Sequence, residues 1–169
     1  MSPPAKDRAA IDIKATSEKH STPAPDLLAI HAISGADTVA SYYGIGKGKA
    51  LKASKKVSLS LLGNPSADIS DVLAQGIAFI CTCYGQAVAN CSQLTEARIK
   101  MWRRKTASGS PKLATLPPTS QARNENIKRA HLQAATWKCA VTGINPSMAL
   151  AEHGWDVEGG QLRPVTLPS

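Results

Sequence analysis

The chain has 169 residues, enough for one domain of ordinary size. Only 4% are aromatic, with Phe79 the single phenylalanine, so a core must be mostly aliphatic. The formal charge of +8 is concentrated in residues 47–138, which hold 15 basic and 4 acidic groups; this favours a polyanionic partner such as nucleic acid over a membrane, and no apolar run approaches the ~20 residues a bilayer span needs. A solvated lysine surface is the bland alternative.

Residues 1–25 read as a loose segment, with Pro3, Pro4, Pro23 and Pro25 among charged and small residues. Its one ordered scrap is Ile11-Asp12-Ile13, a strand remnant too short to stand alone. No secretory leader is visible, so Cys81, Cys83, Cys91 and Cys139 are expected to be reduced. The expected location is intracellular, with a nuclear one compatible.

A helical region is predicted over 26–105. Pro25 suits a first helical position and Asp26 the positive end of a helix. Leu27 to Ile33 is apolar on nearly every face, which predicts a buried helix ended by Gly35. A second helix is expected from about Lys47 to Lys55, and Asn64-Pro65-Ser66 marks a turn. Asp68 or Ser70 would cap a third, running through Tyr84 with Val72, Ile77, Ile80 and Cys81 inward. A fourth, capped by Ser92 or Thr95, would carry Ala97, Ile99, Met101 and Trp102, then Arg103-Arg104-Lys105. Residues 106–118 are a Pro/Ser/Gly linker. Over 119–142, with Thr119 as N-cap, Ile127, Ala130, Ala134, Trp137 and Val141 recur at spacings of 3 and 4, the clearest amphipathic helix in the chain. Residues 143–169 read as an irregular tail.

The most informative stretch runs from Ile33 to Lys52. Asp37 follows the end of the first buried helix, Gly44-Ile45-Gly46 comes seven residues later, and Lys47, Lys49 and Lys52 follow. A glycine turn between two helices admits positive φ and lets a second backbone approach closely. Ile45 would tuck between the helices. The free amides opening the second helix, with its dipole, attract phosphate oxygens. The lysines add a salt-dependent, sequence-independent attraction. A nucleotide-binding P-loop is excluded, because Tyr43 stands where its first glycine must be and Ala50 where it needs Ser or Thr. An ordinary helical corner with a solvated lysine face is the alternative.

Gly35-x-Asp37, the glycine turn at +7 and Ala50 together resemble the helix-two-turn-helix segment of the flap endonuclease/XPG group of PIN-like nucleases, over roughly Ile11 to Lys56. The resemblance implies that Asp37 is the last of several carboxylates that bind a divalent metal such as Mg²⁺. It implies that Gly44, Ile45, Gly46 and Lys49 clamp the backbone of duplex DNA, with a monovalent cation at the turn. Lys47 stands where that family often has proline. Most of the chain, including Gly154-Trp155 and Leu162-x-Pro164-Val165, also looks like a group of uncharacterised animal proteins with a His-Ala-Leu-Ser/Thr-Gly-Cys-Asp-Thr stretch, in which Ala36 here replaces the cysteine.

Two-metal phosphodiester chemistry needs converging carboxylates that hold ions about 4 Å apart. Upstream of Asp37 only Asp7, Asp12, Glu18 and Asp26 occur, without the clustering this chemistry requires. The chain therefore reads as mainly α, an incomplete C-terminal remnant of a PIN-like α/β domain with irregular termini. The expected function is non-catalytic or vestigial binding of the duplex DNA backbone through Gly44, Ile45, Gly46, Lys47, Lys49 and Lys52, with Asp37 as a vestigial metal ligand and no resident cofactor. Two alternatives are a metal-dependent nuclease completed by a missing N-terminal half or second chain, and a helical module that docks a protein partner on the 119–142 stripe.

Weaker signals have structural explanations. Cys81 and Cys83 point in different directions on a helix, which favours buried thiols over a zinc set with Cys91, Cys139 and His131. His31 is expected in the core, His131 at a boundary, and His20 and His153 in flexible segments. Arg98, Lys100, Arg103, Arg104 and Lys105 with Trp102 form a second basic cluster, which would grip a phosphate backbone or line a helix whose Trp102 faces the core. Lys128, Arg129 and Lys138 are expected on the polar face of the last helix.

Overall fold

The computed structural model describes residues 12–19, 21, 24–85, 94–110, 112–140, 143 and 146–166. Six α-helices and one two-stranded sheet occur among them, so the chain is mainly helical. No described helix is long and apolar enough to cross a membrane.

Helix α1 spans Ile13–Lys19. The strand expected at Ile11-Asp12-Ile13 is therefore corrected where it is described, Ile11 lying outside the described residues. The reason is local: the Asp12 carboxylate accepts the Ala15 amide at 2.9 Å, so it caps a helix start. Helix α2, Leu27–Ile33, follows a short 3-10 turn, and α3 spans Lys47–Ser54. Asp26 precedes α2 without capping it through its side chain. Its carboxylate instead accepts the Leu59 amide at 2.8 Å and the Ser58 hydroxyl at 3.0 Å, joining the start of α2 to the loop after α3.

Helix α4, Ile69–Cys83, is capped by Asp68, which accepts the Ser70 amide at 2.7 Å and hydroxyl at 2.6 Å; these bonds hold its pKa below the usual carboxylate value. Helix α5, Leu94–Thr106, contains Thr95, so Thr95 is not its cap, and Ser92 lies outside the described residues. Helix α6, Ser120–Ala140, starts after Thr119, whose hydroxyl accepts the Ala122 amide.

Helix α6 packs against both α2 and α4. Ile30 and Ile33 of α2, Leu59 and Leu62 of the intervening loop, Val72, Phe79 and Ile80 of α4 and Ile127 of α6 form the buried core. Removing each such aliphatic side chain from water contributes roughly 1.5–3 kcal/mol. The α4–α6 approach is close because a Cβ at Gly76 would lie 2.8 Å from Ile127 Cγ2. The stripe of α6 expected to be open to a partner is thus spent inside the chain: Ile127, Ala130 and Ala134 are buried, and Trp137 is half-buried with its ring stacked on His31 at 5.2 Å. Val141 lies outside the described residues.

The histidines depart from expectation. His31 is exposed rather than in the core. His131 is buried rather than at a boundary, because its Nδ1 accepts the Gly63 amide at 2.9 Å. His153 is buried as well, its ring stacked on His131 at 5.7 Å. His20 lies outside the described residues.

Two segments expected to be irregular are ordered. In the 106–118 stretch, Leu113–Thr115 forms a 3-10 turn and Leu116 and Pro117 are buried. Lys105 donates to the Thr115 hydroxyl at 2.5 Å, and Arg98 donates to the Pro117 carbonyl. In the tail, β1 (Trp155–Glu158) and β2 (Gln161–Pro164) pair antiparallel, with Trp155 opposite Pro164, across the two-residue Gly159-Gly160 turn. Arg129 of α6 anchors the hairpin's approach by donating to the Gly154 carbonyl at 3.0 Å.

Candidate functional site

The segment between α2 and α3 is two turns rather than a continuous rod. Ala36 and Val39 exchange backbone hydrogen bonds at 2.9 and 3.1 Å around Asp37 and Thr38. The second turn is centred on Gly44, whose φ of +75° places it in the left-handed region that glycine adopts without strain. Between the two turns, the Asn126 side chain donates to the Ala40 carbonyl at 2.9 Å and Thr38 bonds Gln133, so α6 holds the segment in place. Ile45 is 5% exposed and belongs to the core, while Gly44 and Gly46 on either side of it are exposed. One apolar anchor thus holds a turn whose glycines face outward.

Gly46 caps α3 with an extended backbone (φ −93°, ψ 170°), and its carbonyl accepts the Lys49 and Ala50 amides at 3.0 Å. The helix start therefore presents outward-facing amides at Lys47 and Gly48. A Cβ built at Gly44, Gly46 or Gly48 would meet nothing within 4 Å. Only Gly44 has a backbone that disfavours other residues. Gly46 suits the cap position, whereas glycine at 48, inside the helix, lowers its stability with no packing reason among the described residues.

The lysines divide into two groups. Lys47 turns back onto the end of α2, where its ammonium donates to the carbonyls of His31 (2.8 Å) and Gly35 (2.5 Å) and to the Ser34 hydroxyl (3.0 Å). Burial lowers its pKa from the ordinary lysine value. Lys49, Lys52 and Lys56 recur at spacings of 3 and 4 and line a cleft of about 270 Å³ closed by Thr82, Cys83 and Tyr84 at the end of α4. Lys49 also reaches the Gly44 carbonyl at 3.3 Å and lies 5.7 Å from the centre of the Tyr84 ring. Among the described residues the ion pairs are Lys128–Glu125 and Arg163–Glu158, so no carboxylate neutralises this lysine face.

Asp37 is exposed in its turn. Among the described residues, no group of three or more His, Cys, Asp or Glu side chains is placed to hold a metal ion. Among the described residues, Asp37 thus has no companion set of such side chains around it. A monovalent cation at the glycine turn would compete with Lys49 for the Gly44 carbonyl. Cys81 and Cys83 are buried, and burial raises the Cys83 thiol to about 11 against the opposing charge of Lys49, which leaves it protonated and unreactive at neutral pH. Cys91 lies outside the described residues.

Lys49 meets Gly44 at the turn and shares its cleft with Lys52, whereas Lys47 turns back onto the end of α2. Sequence reasoning passed over three neighbours. Gly48 continues the alternation begun at Gly44 and Gly46, and that spacing was a visible signal. Tyr43 and Tyr84 gave none, because they meet only in the fold, where the Tyr84 hydroxyl donates to the Tyr43 carbonyl at 3.2 Å. Burial pushes the Tyr84 phenol up to about 12, with Cys83 adding to the shift. Compared with protein-family models, curated proteins and solved structures, the chain matches none.

Proposed function

We propose that this chain binds the sugar-phosphate backbone of nucleic acid, duplex DNA in the first instance, without cutting it. The observation that carries the reading is the row of side-chain-free positions at 44, 46 and 48 next to a lysine face that has no acidic partner among the described residues. Gly46 is a favoured cap residue, but glycine at 48 inside α3 weakens the helix start, and among the described residues no contact at 48 compensates it, which supports a use in what approaches from outside. A phosphate fits that place, because it accepts hydrogen bonds from backbone amides and is drawn to the positive end of a helix. Lys49 and Lys52 extend the attraction along α3, and Lys56 continues it just beyond the helix. Lys47 serves the fold instead and leaves the expected contact set. The likeness of the segment to the helix-two-turn-helix of PIN-like nucleases agrees with this reading and remains part of the proposal, as does the idea that the chain is a remnant of such a domain.

Titration of a fluorescent duplex across a salt series tests it. Three lysine contacts predict a slope of log K against log salt of about −3, with little preference for sequence. Replacing Gly46 and Gly48 together by leucine leaves the fold in place, because both sites open onto free space, yet should remove most of the affinity by covering the amides. Unchanged binding by that variant would sink the proposal. Mg²⁺-dependent cleavage by the chain alone, lost in Asp37→Ala, would replace it with an enzyme.

A further inference from the structure

Tyr43 precedes the glycine turn and is 58% exposed, an unusual position for a large ring. Its backbone and its ring each have a partner. Its carbonyl accepts the Tyr84 hydroxyl, and the Lys105 ammonium lies 5.2 Å from the centre of its ring. Lys105 is itself fixed by its bonds to Thr115. The ring therefore stands in solvent with one cationic partner, Lys105. Beside it runs a groove of about 300 Å³, at the lower bound of ligand-sized pockets, lined by Tyr43, Leu113, Ala114, Leu116, Pro118 and, at its rim, Arg98. Next to it, Trp102 and Ile99 of α5 are also exposed, with Arg103 and Arg104 on the same helix.

A largely apolar groove headed by an exposed aromatic ring, with Arg98 in its lining and Lys105 over the ring, suits a flat, uncharged ring carried on an anionic chain. A nucleobase has that chemistry, since it stacks on aromatic faces regardless of sequence while its phosphates meet the surrounding charge. An acidic peptide would satisfy the charges but leave the groove without a planar occupant. Tyr43 of the groove lining also directly precedes Gly44, so the groove and the glycine turn adjoin along the chain. In a duplex the bases are stacked on one another and unavailable; an unpaired base is free to enter.

We propose that Tyr43 and its groove take a nucleobase from an unpaired strand whose phosphates lie on the Gly44–Gly48 turn. This rests on the backbone-binding reading above and adds the class of strand engaged.

The test compares oligothymidylate with an abasic strand of equal length, which carries the same phosphates but no bases, by fluorescence anisotropy on the full chain. The wild-type chain should prefer oligothymidylate by about tenfold, the range of one stacked base. Tyr43→Phe should keep the preference. Tyr43→Ala should abolish it. Ala114→Leu, which enlarges a side chain in the groove lining, should also abolish it. Equal binding of the two strands by the wild-type chain, or a preference that survives both Tyr43→Ala and Ala114→Leu, overturns the proposal. Binding of duplex alone overturns it and leaves the backbone reading standing; binding of no nucleic acid overturns both.

Discussion

The ammonium of Lys47 lies 2.5 Å from the carbonyl oxygen of Gly35, twelve residues earlier. With the His31 carbonyl and the Ser34 hydroxyl it closes the end of α2 from the first residue of α3. A helix C-terminus is the negative end of the dipole and carries carbonyls without internal partners, so a cation there is stabilising. Lys47 thus sets the geometry of the glycine turn instead of reaching outward from it.

Replacing Lys47 by methionine should therefore cost stability more than binding. Hydrogen bonds from a charged group are each worth about 1.5–3 kcal/mol when lost from a folded protein, and this partly exposed site falls at or below the lower end. Urea denaturation should show a loss of about 1 kcal/mol, while the salt slope for duplex binding stays at its wild-type value. A slope that drops by about one would return Lys47 to the phosphate contacts.

Gly48→Ala should act in the opposite sense. The position is helical and open, so alanine gains about 0.4–1 kcal/mol in thermal or urea unfolding. The same methyl stands in front of the amides at the helix start, so affinity for duplex DNA should fall. A variant both more stable and equally tight in binding would show that the bare backbone at 48 serves no contact.

Gly63→Ala should be among the most damaging single substitutions. Its φ is +80°, and a Cβ there would lie 2.7 Å from the Ala134 Cβ and 2.9 Å from backbone of the same residue. Helix α6 would have to move, which also breaks the bond from the Gly63 amide to His131. A loss of about 3 kcal/mol or more is expected by chemical denaturation. A loss below 1 kcal/mol would mean that the 55–68 loop adapts freely.

Stability should fall as the solution is made acidic, and His131 is one cause. Burial, then the neighbouring His153 and Lys138, lower its pKa from 6.5 to about 4. The unfolded chain therefore binds a proton at His131 that the folded chain refuses over that range. The contribution is fully present above about pH 6.5 and is lost as pH falls toward 4. Protonating Nδ1 would also remove the acceptor for the Gly63 amide. His131→Gln should be less stable at pH 7, and its urea midpoint should vary less between pH 6.5 and 4 than that of the wild-type chain. An unchanged pH dependence in the variant would assign the effect to other groups.

Much of the local architecture was legible from short windows of sequence. Asp68 before an apolar run and Thr119 before a 3–4 spacing announced α4 and α6, because caps and periodicity act over one or two helical turns. The paired glycines around Ile45 announced a turn with an apolar anchor, and the charge count announced a basic middle. Ile11-Asp12-Ile13 misled because its alternation spans three residues, and the Asp12 carboxylate outweighed it with a helix cap.

The sequence by itself determined that the chain is mainly helical, that Gly44, Ile45 and Gly46 interrupt it, and that positive charge follows the interruption. Only tertiary structure decided which lysines face outward, that His131 is buried, that the tail pairs as a hairpin, and that Lys105 of α5 meets Tyr43. Helix starts and turns depend on neighbours a few residues away, whereas the direction of a long side chain depends on partners as distant as Gly63 and His131, 68 residues apart. No local pattern encodes such a contact; it exists only once the hydrophobic faces of α2, α4 and α6 have closed on one another.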